Sequence, residues 1–132
     1  LYFRWYPQNK VMAYSSAGHE HILIYRDRAS NLEAIQSGGM MLGMIPDIAM
    51  FLEDRQLQFE SGDKILLYTD GVTEALNENQ ERFGLERLKG LFEKHQAKPS
   101  DELMNIIKDE VYAFIGATAQ YDDITLVVMG VL

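Results

Sequence analysis

The alternation of apolar and polar positions divides the chain into a strand-rich first half and a second half of two helices and a closing strand. Leu1–Tyr6 and Val11–Ser16 are strand-prone runs separated by Pro7-Gln8-Asn9-Lys10, and together they predict a hairpin. His21–Arg26, bounded by Gly18 and by Asp27-Arg28, has an unbroken apolar centre that suits a strand buried on both faces, continuing an antiparallel meander. From Gln36 to Asp47, Gly38, Gly39, Gly43 and Pro46 interrupt the apolar side chains, so a loop with apolar anchors is expected there. Its glycines make Gly38–Pro46 a candidate mobile element near a site. Ile48–Phe59 alternates partially, Ser61-Gly62-Asp63 reads as a tight turn, and Lys64–Thr69 is the strongest strand signal, ending at Asp70-Gly71.

Beyond Gly71 the period changes. Leu85, Leu88, Leu91 and Phe92 recur at helical spacing and predict a helix over about residues 84–95 with a core-facing stripe. A second helix is expected over 101–115, with Ser100 as N-cap, Asp101 and Glu102 in the first turn, and Leu103, Ile106, Ile107, Val111 and Phe114 on one face. Gly116 stops it, and Ile124–Met129 is expected as a further buried strand.

Length and composition narrow the class. With 132 residues, 47% hydrophobic and 24% charged, the chain is the size of one domain and can bury one sizeable core. Leu1 is not an initiator and opens directly on a strand, which suggests a piece of a longer protein. The absence of cysteine excludes disulfides and thiolate metal sites and fits a cytoplasmic protein, and any metal must be held by carboxylate, imidazole, carbonyl or water. No apolar run has the length of a membrane span, so no membrane contact is expected. A net charge of −8 with scattered Lys and Arg lacks the basic footprint of a nucleic-acid binder.

Two acidic positions fall where a strand meets a turn, the place from which a scaffold presents groups to a cleft. Asp70 precedes Gly71, which keeps side-chain bulk away from whatever the carboxylate holds. Asp122-Asp123 precedes the closing strand, and adjacent carboxylates there are easiest to understand if a cation neutralises at least one of them. Both positions also suit plain turn residues, since aspartate bonds its own backbone in turns. His19 has three readings: metal ligand, proton donor to a leaving oxygen, or structural hydrogen-bonder, the last favoured. Glu74 is either a support for a metal-held water or a helix-start or ion-pair residue.

Ala17-Gly18-His19, the run Tyr68–Ala75, Phe83-Gly84 and Asp122-Asp123-Ile124-Thr125 stand in the order and approximate spacing of the SpoIIE/RsbU-type phosphatases. These are the bacterial branch of the metal-dependent PPM protein phosphatases, and the chain resembles them over essentially its whole length. Leu42-Gly43 resembles that family's Pro-Leu-Gly segment, with Met41 where proline is common. The resemblance implies an α/β (α+β) fold: an α-β-β-α layered sandwich of mostly antiparallel strands. It implies a serine/threonine phosphatase using two Mn²⁺ or Mg²⁺ ions to activate water, with Asp70 and Asp122 as catalytic metal ligands. Gly71 then permits close approach and Asp123 is a weaker ligand or a support, with His19 and Glu74 as supporting candidates.

The family's earlier Gly-Asp-Val-x-Gly-His-Gly-like motif, whose aspartate bridges the metals, does not occur in these residues. Residues 1–132 are therefore expected to be the C-terminal part of one such domain, truncated on its N-terminal side, with an upstream sensor domain in the parent protein. The truncation would leave a sheet edge for pairing with a second copy, a homodimer that sedimentation at high concentration would reveal. The implied substrate is a phosphoserine or phosphothreonine protein, an anti-sigma-factor antagonist of the STAS type in a partner-switching pathway. The rival reading is a phosphatase-derived binding or signalling module without catalysis. Asp70-Gly71-Val72-Thr73 also resembles the haloacid dehalogenase signature, but Tyr68 stands where that chemistry requires a nucleophilic aspartate.

Overall fold

Two strands that are apolar on both faces organise the molecule, which a computed structural model describes over residues 1–132. β3 (Ile22–Arg26) and β6 (Lys64–Tyr68) pair antiparallel, with Leu23 opposite Leu66 and Ile24 opposite Ile65. β4 (Asn31–Ile35) and β7 (Leu126–Gly130) flank them in a four-stranded sheet of order β4-β3-β6-β7. β1 (Tyr2–Tyr6), β2 (Val11–Ser15) and β5 (Asp54–Gln58) form a second sheet of order β1-β2-β5, and every neighbouring pair in both sheets is antiparallel.

Successive side chains on a strand face opposite ways, so β3 and β6 build two cores at once. Ile22, Ile24, Ile65 and Leu67 meet Met12, Tyr14 and Phe59 between the sheets, where Trp5 tilts against Phe59 at 5.7 Å between ring centroids. Leu23, Tyr25, Leu66 and Tyr68 face the other way, against the helices. α2 (Leu85–His95) covers β3 and β4 with Leu88 and Phe92, and α3 (Ser100–Ile115) runs along β7 with Leu103, Ile107, Val111 and Ile115 at four-residue spacing. Each fully buried side chain of this kind contributes about 1.5–3 kcal/mol relative to exposure. Both long helices lie on the four-stranded sheet, giving helix, sheet and sheet layers within this chain, with antiparallel sheets as expected.

Several local expectations are corrected. Asn31–Ile35 is a strand that the pattern did not announce, because Asn, Glu and Ala are poor strand formers and the segment is drafted by pairing with β3. Ile48–Phe59 is not one strand: a single 3₁₀ turn at Ala49–Phe51 precedes β5. Pro99, not Ser100, occupies the N-cap position of α3, where its carbonyl accepts the Leu103 N–H at 2.9 Å, and Ser100 is the first helical residue. The closing strand starts at Leu126 rather than Ile124 and is only half buried, since β7 is an edge strand with one neighbour. Gly116 ends α3 with φ +60, as expected.

The glycine-rich loop is clamped at its base and free at its tip. Gly38 accepts the Gly18 N–H at 3.3 Å, and Gly39 packs on the Ser16–Ala17 backbone so tightly that no side chain would fit. Leu42 and Met44 then stand exposed. The loop base lies against the β2–β3 turn rather than against Asp70 or Asp122.

Candidate active site

Antiparallel pairing of β6 with β7 brings the end of one strand to the start of the other, and with them the two acidic segments. Tyr68 of β6 pairs with Leu126 of β7, so Asp70 and Asp122-Asp123 emerge at the same end of the sheet. Thr69 extends the pairing by one residue. Its N–H reaches the Thr125 carbonyl at 3.2 Å, and its hydroxyl donates to the Asp123 carbonyl at 2.8 Å while accepting the Thr125 N–H at 3.0 Å. Thr69 also stands at the N-cap position of α1 (Asp70–Thr73), yet its side chain bonds β7 instead of capping that helix. The turn expected at Asp70-Gly71 is thus a single helical turn.

Gly71 is the contact between the two segments. A Cβ built on it would lie 2.9 Å from the Asp123 carbonyl carbon and closer still to its oxygen. Its φ is not in the left-handed region, so space and not conformation excludes a side chain. Gly71→Ala is therefore expected to push the Asp123 carbonyl aside, lowering stability by about 1–3 kcal/mol. In a catalytic site a misplacement of about 1 Å costs about 10²-fold in rate, so any turnover is expected to fall as well. Urea unfolding and phosphate-ester turnover check both effects, and wild-type behaviour in each would show that the close approach does not matter.

Asp70, Asp122 and Asp123 are all exposed at this rim. Asp70 Oδ1 accepts the Gly71 N–H at 3.0 Å, and Asp122 Oδ1 accepts the Asp123 N–H at 2.7 Å, so each carboxylate keeps its second oxygen without a protein donor. The Asp122 carbonyl accepts Gln120 Nε2 at 2.8 Å. The donor set is carboxylate oxygen throughout, which suits a hard divalent cation such as Mg²⁺ or Mn²⁺. The chain gathers no group of three or more His, Cys, Asp or Glu side chains able to hold a metal, so the two acidic segments alone do not make a complete cation site.

A cleft of about 260 Å³ opens beside Gly71 and Asp122, with Glu74 and Arg82 in its wall. Glu74 takes the ion-pair role: its Oε1 lies 2.8 Å from Arg82 Nη1, and its N–H bonds the Asp70 carbonyl at 2.8 Å. Phe83 and Gly84 support the site from behind. The Phe83 ring is buried, its N–H reaches Ala75 O at 2.8 Å, and Gly84 N–H reaches Thr73 O at 2.9 Å before α2 begins.

His19 does not join this cluster through a hydrogen bond. Its backbone does the structural work, the N–H donating to Ser16 Oγ at 3.2 Å and the carbonyl accepting from the Ser37 hydroxyl. Its imidazole is half-buried, and Nε2 is shielded from solvent without a partner. Burial pushes its pKa below 6.5. Between that lowered value and 6.5 the unfolded chain binds more protons than the folded one, so stability is full above about pH 6.5 and declines below it. Denaturant unfolding between pH 7.5 and 5.5 is expected to show this decline, reduced in His19→Gln; equal slopes in the two proteins would refute it. Tyr68 is buried in the helix-side core with its hydroxyl unpartnered, and burial, reinforced by the charge of Glu20, raises its pKa to about 12.

The family model of Stage II sporulation protein E (SpoIIE) matches residues 1–132. Protein IcfG of Synechocystis sp. is 33% identical over 120 residues, covering 90% of this chain and 18% of its own length. Phosphoserine phosphatase RsbU of Bacillus subtilis is 34% identical over 132 residues, covering 98% of this chain and 38% of its own. The chain thus spans well under half of either relative. Among solved structures, the phosphatase domain of SpoIIE from Bacillus subtilis, presoaked with Mn, superposes with a TM-score of 0.72 at 16% identity, over 98% of this chain and 55% of that one.

Proposed function

The chain belongs to the SpoIIE family, the SpoIIE/RsbU branch of the PPM phosphatases, and on that premise we propose that it is the C-terminal part of a metal-dependent protein serine/threonine phosphatase domain. The observation that carries this reading is the seating of Gly71 on the Asp123 carbonyl, which unites two acidic segments 52 residues apart (122 − 70) at one rim. Ordinary turn aspartates need no such approach.

Asp70 and Asp122 would hold Mn²⁺ or Mg²⁺, each with the carboxylate oxygen left over from its turn, and Asp123 would support them. The ions, when bound, supply an activated water and a clamp on the phosphoryl oxygens. The chain's own residues do the positioning. Gly71 keeps the rim free of side-chain bulk, and Thr69 fixes the Asp123 carbonyl and so the direction in which the acidic segment points. Glu74, paired with Arg82, bounds the site on its cleft side. No cysteine exists in the chain to serve as a nucleophile.

The substrate in this reading is a phosphorylated anti-sigma-factor antagonist of the STAS type, acted on in the cytoplasm; the likeness to a protein called phosphoserine phosphatase RsbU supports the phosphoserine part of it. No helix of the chain is long and apolar enough to cross a membrane. Mn²⁺ calorimetry and p-nitrophenyl phosphate turnover test the proposal, on this chain and on one extended upstream through a Gly-Asp motif. Binding and turnover that appear or strengthen with the extension support a domain to which this chain contributes half the site. Inactivity of both favours the non-catalytic binding module instead.

A further inference from the structure

The cleft beside Asp122 extends past the carboxylates, and its far side is built from residues with no part in holding a cation. Ala75, Leu76, Ile115 and Ala119 give it an apolar floor, Tyr121 stands exposed beside it, and Arg82 is the one basic side chain in its wall. Arg82 is anchored from behind. It closes a tight hairpin in which Leu76 bridges to Arg82, and Asn77 Oδ1 accepts the N–H groups of Asn79 and Glu81, each at 2.9 Å. Its head is paired with Glu74 of the same wall at 2.8 Å, but the Arg82 and Glu74 side chains are 66% and 55% exposed, and a pair so exposed is weakly held, so an incoming carboxylate can compete for it.

Charge makes this arginine unusual in its setting. The chain carries a net −8, three aspartates share the rim, and Arg82 is the cation that faces the same cleft as Asp122. A segment entering beside Asp122 therefore meets the carboxylates of Asp122 and Glu74 and one fork of donors, which it shares with Glu74. Guanidinium recognises a carboxylate with two parallel N–H bonds, and an apolar floor favours an aliphatic neighbour.

We propose that this cleft binds the stretch of the protein substrate flanking its phosphorylated residue, seating an apolar side chain on the floor and an acidic one on Arg82. The cleft thereby selects which phosphoprotein is turned over. This specificity rests on the phosphatase reading above and adds to it a residue that chooses among substrates without touching the phosphorus.

Two phosphoserine peptides test it with the Mn²⁺-loaded protein extended upstream through the Gly-Asp motif. One carries leucine beside the phosphoserine and glutamate beyond it on both sides; the other carries glycine and lysine in those places. The acidic, apolar peptide is expected to have about tenfold higher kcat/KM, chiefly through KM. Arg82→Ala is expected to shrink that preference to about threefold or less, Arg82→Lys to keep part of it, and Arg82→Glu to invert it. Thermal melts by circular dichroism establish that the variants are folded, as the exposure of Arg82 leads one to expect. Inversion is the outcome that a merely structural arginine would not give. Equal use of both peptides by the wild-type protein, or a preference unchanged in Arg82→Glu, overturns the cleft assignment alone. A wild-type protein that hydrolyses neither peptide nor p-nitrophenyl phosphate overturns the phosphatase reading itself, and this inference with it.

Discussion

In the complete domain, Asp70→Asn and Asp122→Asn are each expected to lower Mn²⁺-dependent turnover by about 10³-fold or more, because in the proposed reading each removes a charge that would hold the cations. Stability is expected to change by no more than about 0.5 kcal/mol, since both side chains are exposed. Asparagine is chosen because the structure shows each aspartate also doing a turn residue's work. Asp70 Oδ1 takes the Gly71 N–H and Asp122 Oδ1 takes the Asp123 N–H, bonds that an amide oxygen serves equally well. The substitution thus separates the two roles. Turnover in the presence of saturating Mn²⁺, compared with urea unfolding of the same samples, checks the expectation; near-normal rates in both variants would leave the aspartates as turn residues and remove the case for catalysis here.

The largest effect on stability is expected at the opposite end of the sandwich, at Asp63, which is 2% exposed. Its Oδ2 accepts Arg26 Nη1 at 3.0 Å and the Glu60 N–H at 3.0 Å, while Oδ1 accepts the Asp27 N–H at 3.1 Å. Its carbonyl accepts the Val131 N–H at 2.9 Å. One carboxylate therefore ties the β3–β4 turn to the β5–β6 turn, and its backbone adds the end of the chain. Arg26 also bonds Glu33 at 3.0 Å and the Gln58 carbonyl at 2.8 Å, and lies over the Phe59 ring. Asp63→Ala leaves that guanidinium short of its buried partner and two N–H groups unsatisfied, and is expected to destabilise by about 3–5 kcal/mol. Urea unfolding measures it. A loss below about 1 kcal/mol would mean that water replaces the carboxylate freely, contrary to the burial seen. If the folded protein has the usual margin of about 5–15 kcal/mol, Asp63→Ala remains folded at room temperature but melts early.

These two aspartates differ in a way that sequence alone obscures. Asp63 follows Ser61-Gly62 and Asp70 precedes Gly71, so both sit beside glycine in what looks like a turn. In the folded chain one is buried with three donors and the other is exposed at a rim, and the first is a stability residue while the second is free to take a ligand. The difference arises because β6 runs from one end of the sandwich to the other, carrying Asp63 at its start and Asp70 just past its finish.

What the sequence determined by itself was whatever short-range periodicity and side-chain chemistry encode. The continuous apolar run of β3 called for a strand covered on both faces, that of β6 gave the strongest strand signal, and the helical spacing of Leu103, Ile106, Ile107, Val111 and Phe114 called for a helix with one core-facing side. The order of the short motifs sufficed for the family, and the absence of cysteine restricted any metal to hard or imidazole donors. Tertiary structure decided the rest. β4 exists because β3 offers it an edge, not because Asn31–Ile35 favours extension. Thr69 matters because its hydroxyl reaches a carbonyl 54 residues away, and Arg82 because a hairpin swings it back to Glu74 and the cleft. Local sequence fixes the conformation of a few residues at a time, whereas a site is a meeting of distant ones, and only the antiparallel pairing of β6 with β7 supplies that meeting.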